Sequence, residues 1–135
     1  MDDFKKETKN ILEVENLAVS YGLIKAVKGV SFCVKEGEIV ALIGGNGAGK
    51  TTIMHAVNGL IPKTSGKVVF DGKDITNVAA HKLNALGLTQ VPEGRRIFQE
   101  LTVEENLRLG AYTLKNAATI KERLEIVYVI FPRLY

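Results

Sequence analysis

Gly44-Gly45-Asn46-Gly47-Ala48-Gly49-Lys50-Thr51, followed by Thr52, reads G-x-x-x-x-G-K-T, the spacing of a phosphate-binding P-loop. The residue types follow from the chemistry. Glycines reach positive φ and let the backbone approach a ligand closely. Successive backbone N–H groups then form a nest for an anion. The loop opens a helix, whose N-terminus carries partial positive charge. Lys50 adds a full charge for the β- and γ-phosphates, and the Thr51 hydroxyl is a Mg²⁺ ligand type. An ordinary glycine-rich turn would need no particular flanks, and here both flanks match the motif. Glu38 to Ile43 (EIVALI) is a short apolar run that predicts a buried strand. Thr51 to Leu60 (TTIMHAVNGL) predicts a helix with Ile53, Met54, Val57 and Leu60 on one face.

The 135 residues suffice for one modest domain with a core. Apolar content of 46% and charged content of 24% are those of a globular chain. The net charge of +3 is spread without a basic arm, which argues against nucleic acid as a partner. Cys33 is the single cysteine, so no internal disulfide can form. Its apolar setting predicts a small buried residue in a reducing, intracellular compartment. No apolar run reaches the length of a membrane span, so any membrane association is expected through a partner.

Met1 to Asn10 is charged and reads as a flexible leader. From Ile11 to Tyr21 apolar and polar residues alternate, as in a half-buried strand. Gly22-Leu23-Ile24 is the expected turn, and Lys25 to Val34 alternates again. An antiparallel pair therefore precedes the P-loop. Lys35-Glu36-Gly37 is a tight turn into the strand before it. Beyond the first helix, residues 61–66 are a loop and Lys67 to Phe70 a short strand. Val78 to Leu86 reads as a helix capped by Thr76 or Asn77 and stopped by Gly87. Leu88 to Val91 reads as another short strand, and Pro92 to Phe98 as an irregular loop. Thr102-x-x-Glu105 is a capping box for a helix over about 103–111. A last helix, about 118–131, sets Ile120, Leu124, Val127, Tyr128 and Phe131 on one face before Pro132. His55 and His81 lack metal-ligand spacing and carry no assigned role.

Taken in order, LEVENLAVSYG, VKGVSF, EGEIVALIGGNGAGKTT, SGKVVFDGKDIT and VPEGRRIFQELTVEENLRLGAY resemble the ATP-binding subunit of an ABC transporter. The match runs from about Leu12 to near the last residue. The VPEGRRIF and LTVEENL wording looks like the branched-chain amino-acid importer group, LivF type. Urea and amide importers share similar wording. The implied fold is α/β: a P-loop NTPase of the ABC ATPase type, with an N-terminal antiparallel β subdomain and an incomplete RecA-like core. The implied ligands are ATP and Mg²⁺. Gly44, Gly45, Asn46, Gly47, Ala48, Gly49, Lys50, Thr51 and Thr52 would hold the phosphates, with Thr51 on the metal. Spacing alone favours Tyr21 as a strand-end core residue; the resemblance reverses that, since Tyr21 stands where the family carries an aromatic that stacks on adenine. Glu93 occupies the position of the family's Q-loop glutamine, where its carboxylate would accept a bond from metal-bound water. It brings a negative charge there, whereas Gln90 falls three residues too early. Arg95, Arg96 and Phe98 are the implied contacts to a membrane permease subunit.

Subunits of this kind continue with an LSGGQ-type signature, a Walker B strand ending in Asp-Glu and a switch histidine. None of the three is in the sequence. After Tyr112 there is no aspartate and no apolar run ending in two acids. Residues 11–135 are therefore expected to be the N-terminal part of one nucleotide-binding domain, whose C-terminal half is absent. By the same resemblance, the intact protein would be an ATPase that dimerises with a second such subunit. It would sit on the cytoplasmic face of the plasma membrane through permease subunits. The fragment alone would bind nucleotide at most and expose strand edges and bare apolar faces. The competing readings are a nucleotide-binding module without turnover and an ABC ATPase outside transport.

Overall fold

The computed structural model describes residues 8–94 and 96–135, so residues 1–7 of the expected leader, and Arg95, lie outside the described residues. Two compact units divide the chain at Gln90/Val91.

The first unit is built on a four-stranded antiparallel sheet of order β2-β1-β3-β4: β1 Asn10–Tyr21, β2 Ile24–Lys35, β3 Ser65–Phe70 and β4 Lys73–Asp74. The predicted hairpin is present, with Gly22 at φ 57° in its turn and Tyr21 paired to Ile24. The leader does not stay apart from it. Lys9 forms an ion pair with Asp71, and its carbonyl accepts from Glu36 N–H at 2.9 Å.

Simple alternation along β1 is broken once, and the break builds the core. Val14, Leu17 and Val19 are all buried, yet Val14 and Leu17 are an odd number of residues apart, so a regular strand would place them on opposite faces. A bulge between them resolves the parity. Asn16 takes φ 47°, a left-handed conformation that asparagine tolerates. The Asn16 N–H donates to Ser31 Oγ at 2.8 Å. Across the bulge, Gly66 at φ 104° lies so close that a Cβ would sit 2.6 Å from Leu17 Cα. Only glycine fits there.

On this sheet packs α1, Lys50–Val57. It buries Ile53, Ala56 and Val57 at helical spacing, while Met54 and Leu60 of the predicted face are exposed. Asn58 and Gly59 end it. Gly59 N–H bonds Ala56 O at 3.2 Å and Leu60 N–H bonds His55 O at 2.9 Å, a Schellman closure with Gly59 at φ 66°. Val27, Val68, Ile75 and Leu83 complete the core.

Four expectations are corrected. Glu38–Ile43 and Leu88–Val91 form no strand; among the described residues no neighbouring strand offers them a ladder, and strand propensity without a partner does not make a strand. The helix expected over 78–86 shrinks to α2, Ala80–Leu83, and a 3₁₀ turn, Asn84–Leu86. Its expected cap is diverted, because Thr76 Oγ1 accepts the Val68 N–H at 2.9 Å. Gly87 still ends it at φ 96°. Cys33 is exposed rather than buried. It points outward between Phe32 and Val34, of which Phe32 packs against the core.

The second unit holds α3, Val103–Gly110, and α4, Ala117–Ile130. The predicted capping box is complete, with Thr102 and Glu105 bonding reciprocally. Glu105 is held below the usual carboxylate range by the Thr102 backbone N–H first and its hydroxyl second. Asn116 caps α4. Of the predicted α4 face, Leu124 is buried and Ile120, Val127 and Tyr128 are half-buried, whereas Phe131 falls at the helix end and is exposed.

Candidate functional site

The P-loop stands between Ile43 and α1. Gly47 at φ 80° and Gly49 at φ 86° turn the backbone through the left-handed region, and Gly49 is the N-cap of α1. The helix start is bare: no side chain caps it and no acidic residue occupies its first turn. Its first N–H groups lack intrahelical partners by construction, so they and the helix dipole are left to an outside anion. That donor set fits a phosphate chain.

Lys50 has a specific place. Its ammonium donates to Gly44 O at 2.7 Å and to Gly45 O at 2.8 Å. It thereby ties the start of the loop to the first turn of α1 and holds its charge inside the loop. Ala48 N–H closes the turn onto Gly45 O at 3.2 Å. Thr51 is exposed and Thr52 half-buried.

The sheet positions the loop through a second bulge. Val19 pairs with Val27 and Ser20 with Lys25, which leaves Ala26 as the extra residue on β2. A Cβ on Gly49 would lie 2.8 Å from Ala26 O and 3.3 Å from Val27 Cγ2. The loop therefore rests directly on this bulge. Tyr21, at the end of the same hairpin, is 52% exposed, so it is not the core aromatic that spacing alone allowed. The far end of α1 is tied as well: Lys63 Nζ donates to Ala56 O at 2.9 Å, a cation on helix C-terminal carbonyls. Burial pushes the Lys63 pKa down.

In the second unit Glu93 is exposed. Its carbonyl accepts from Arg96 Nε at 3.2 Å across the turn at Gly94, φ 87°. Arg96 and Phe98 are exposed, and the expectation for Arg95 lies outside the described residues. The sequence reading missed Asn106. Its side chain accepts from Phe98 N–H at 2.9 Å and donates to the carbonyls of Phe98, Leu101 and Thr102 at 3.0, 3.2 and 2.9 Å. The available signal was an asparagine, a weak helix former, inside a predicted helix. Gln90 Oε1 is buried without a hydrogen-bond partner. Among the described residues no group of three or more His, Cys, Asp or Glu is placed to hold a metal. No helix among them is long and apolar enough to cross a membrane.

Comparison with known proteins agrees with this geometry. The ABC transporter family model matches residues 27–131. The high-affinity branched-chain amino acid transport ATP-binding protein BraG of Pseudomonas aeruginosa is 37% identical over 124 residues, covering 92% of this chain and 53% of its own. The lipopolysaccharide export system ATP-binding protein LptB of Haemophilus influenzae is 42% identical over 116 residues, 86% of this chain and 48% of its own. A crystal structure of a nucleotide-free ATP-binding cassette from an ABC transporter superposes with a TM-score of 0.78 at 28% identity, covering 94% of this chain and 56% of that one. The chain thus spans about half the length of these relatives. A family model matched over most of the chain and a shared cassette fold have one consequence: the chain belongs to the ABC transporter family, with the fold of an ABC ATPase cassette.

Proposed function

We propose that this chain is the nucleotide-binding part of the ATPase subunit of an ABC importer, with branched-chain amino acids as the transported solute. The observation that carries the reading is the P-loop itself: an uncapped helix start, the Lys50 ammonium drawn into the loop and a bulged strand beneath Gly49. Gly44 to Thr52 bind the triphosphate, through Lys50 and the backbone N–H groups. Thr51 supplies a hydroxyl ligand for Mg²⁺, an ion that neutralises phosphate charge when bound. Tyr21 stacks on the base, an interaction worth about 1–3 kcal/mol at an exposed aromatic. Glu93 stands at the position that senses the γ-phosphate and metal. Arg96 and Phe98, with Arg95, face the permease.

Residues 11–135 are read as one part of a longer nucleotide-binding domain. Glu38–Ile43 and Leu88–Val91 would become sheet strands there, beside strands from the remaining sequence. Hydrolysis, pairing with a second ATPase subunit and attachment to the cytoplasmic face of a membrane belong to that longer protein. The solute assignment draws on BraG. The likeness to LptB supports a second reading, an export ATPase, and transport assays separate the two. ATP-driven uptake of leucine into vesicles carrying the complete transporter supports the importer; leucine-independent turnover with no uptake counts against it. For the chain alone, titration with a fluorescent ATP analogue is the direct test. Saturable binding that Lys50→Ala weakens is expected, and equal binding by the variant would remove the P-loop from the reading.

A further inference from the structure

The Phe98 backbone is fastened at both of its polar groups by one side chain. Asn106 Oδ1 takes the Phe98 N–H at 2.9 Å, and Asn106 Nδ2 gives to Phe98 O at 3.0 Å. The same amide nitrogen reaches Leu101 O at 3.2 Å and Thr102 O at 2.9 Å. Leu101 N–H closes the turn onto Phe98 O at 3.1 Å. Asn106 itself is fixed, because it lies on α3 just behind the Thr102–Glu105 capping box. This uses the full pairing geometry of an amide, one acceptor and two donor hydrogens, against backbone alone. The loop held this way carries two large apolar side chains, Ile97 and Phe98, both mostly exposed. A loop that displays apolar side chains on a rigid backbone is built for contact, since ordering entropy is already lost before a partner arrives.

We propose that Asn106 is the positioning residue of the docking loop: its amide fixes the Phe98 backbone so that Ile97 and Phe98 are presented, pre-ordered, to the membrane subunit. This rests on the docking reading given above for Arg96 and Phe98. The partner it fits is a cytoplasmic helix or loop of a membrane protein with an apolar face and an acidic group for Arg96. Asn106 touches no partner; it acts through the Phe98 backbone.

The test uses the full-length subunit and the membrane subunits of the same transporter in nanodiscs. Four proteins are compared: the parent, Phe98→Ala, Asn106→Ala and Asn106→Asp. The aspartate keeps the acceptor for Phe98 N–H but loses the donor hydrogens, and it keeps the size of the side chain should the alanine variant not fold. Amide exchange at Phe98 and Leu101 reports the clamp. Capture on the nanodiscs reports docking, and binding of a fluorescent ATP analogue reports the P-loop. The expected result is faster exchange at Phe98 and Leu101 in Asn106→Ala, faster exchange at Leu101 in Asn106→Asp, and capture weakened about tenfold in both variants, a loss equivalent to one or two net hydrogen bonds. Nucleotide binding should be unchanged, which a general loss of structure would not leave intact. Capture at the parent level in both Asn106 variants, with capture lost in Phe98→Ala, overturns the positioning role and leaves the docking reading standing. Capture at the parent level in Phe98→Ala as well removes the docking reading and this inference with it. Unchanged exchange at Phe98 in both variants also overturns the role.

Discussion

Leu17 on β1 and Ile39 before the P-loop occupy similar sequence surroundings, each in a short apolar run rich in strand-forming residues. Leu17 is 0% exposed and Ile39 97%. β1 is paired on both sides, by β2 and by β3, and its inward residues meet α1. The segment 38–43 has no ladder; Leu42 packs against the core while Ile43 is 94% exposed. Leu88–Val91 repeats the pattern, with Leu88 packed and Val91 91% exposed. The difference lies in the neighbours, since a strand is a property of a sheet and not of a segment.

The most direct challenge to this contrast is a pair of substitutions. Leu17→Ala should destabilise the chain by about 2–5 kcal/mol, the cost of a buried leucine and its cavity. Ile39→Ala should change it by about 0.5 kcal/mol or less, as for an exposed position. Denaturant unfolding of the chain reads both. In the longer protein proposed above, Ile39→Ala should instead cost about 1–4 kcal/mol, because the strand is then covered. A negligible cost there would falsify the assignment of 38–43 to a central strand.

Next in size is a loss confined to ligand binding. Lys50→Ala should weaken ATP-analogue affinity at least about tenfold, as expected for a charge-assisted contact, with little change in melting temperature, because Lys50 bonds only exposed loop carbonyls. Calorimetry on both proteins checks it, and a large drop in melting temperature would recast Lys50 as a structural staple. Smaller again, Thr102→Ala removes the capping box and should cost about 1 kcal/mol in the second unit, seen as faster amide exchange in α3 with none in β1.

The smallest effect is electrostatic. The side-chain bond from Lys9 holds Asp71 below the usual carboxylate range, and Asp71 raises Lys9 in turn. Asp71 therefore contributes stability above its unfolded pKa, lost as acid passes through its lowered folded pKa. Lys9 contributes below its unfolded pKa, lost as alkali passes through its raised folded pKa. Asp71→Asn should flatten the acid limb slightly without moving the midpoint at neutral pH by a measurable amount, given how exposed the pair is. An unchanged acid limb would show the pair to be inert.

What was legible in the sequence was local. The glycine-rich loop before α1, the hairpin turn at Gly22 and the Thr102–Glu105 cap each depend on residues within a few positions of one another and are present as read, whereas α1 ends at Val57 with Met54 and Leu60 of its expected face exposed. The misreadings depend on distant chain. Thr76 looked like a helix cap, but the Val68 backbone eight residues away claims its hydroxyl. Cys33 looked buried because its neighbours are apolar, whereas strand parity turns it outward. Segments 38–43 and 88–91 looked like strands because composition cannot say whether a partner is near. In the candidate site, the G-x-x-x-x-G-K-T loop was readable from spacing. The Ala26 bulge beneath Gly49 and the Asn106 clamp were not, since neither a strand irregularity nor a side chain reaching back eight residues has a motif.

Asn16 gives β1 something like a reading frame. The bulge adds one residue between Val14 and Leu17, so the strand is two phrases in opposite phase. Substituting Asn16 would leave the phase intact. Deleting it would leave Val14 and Leu17 two residues apart, the spacing of a regular strand, so Leu17 and Val19 would keep the inner face while the bulge and its bond to Ser31 would be lost. The bulge is thus the place where β1 absorbs a residue that a regular strand would read as a frameshift in three dimensions.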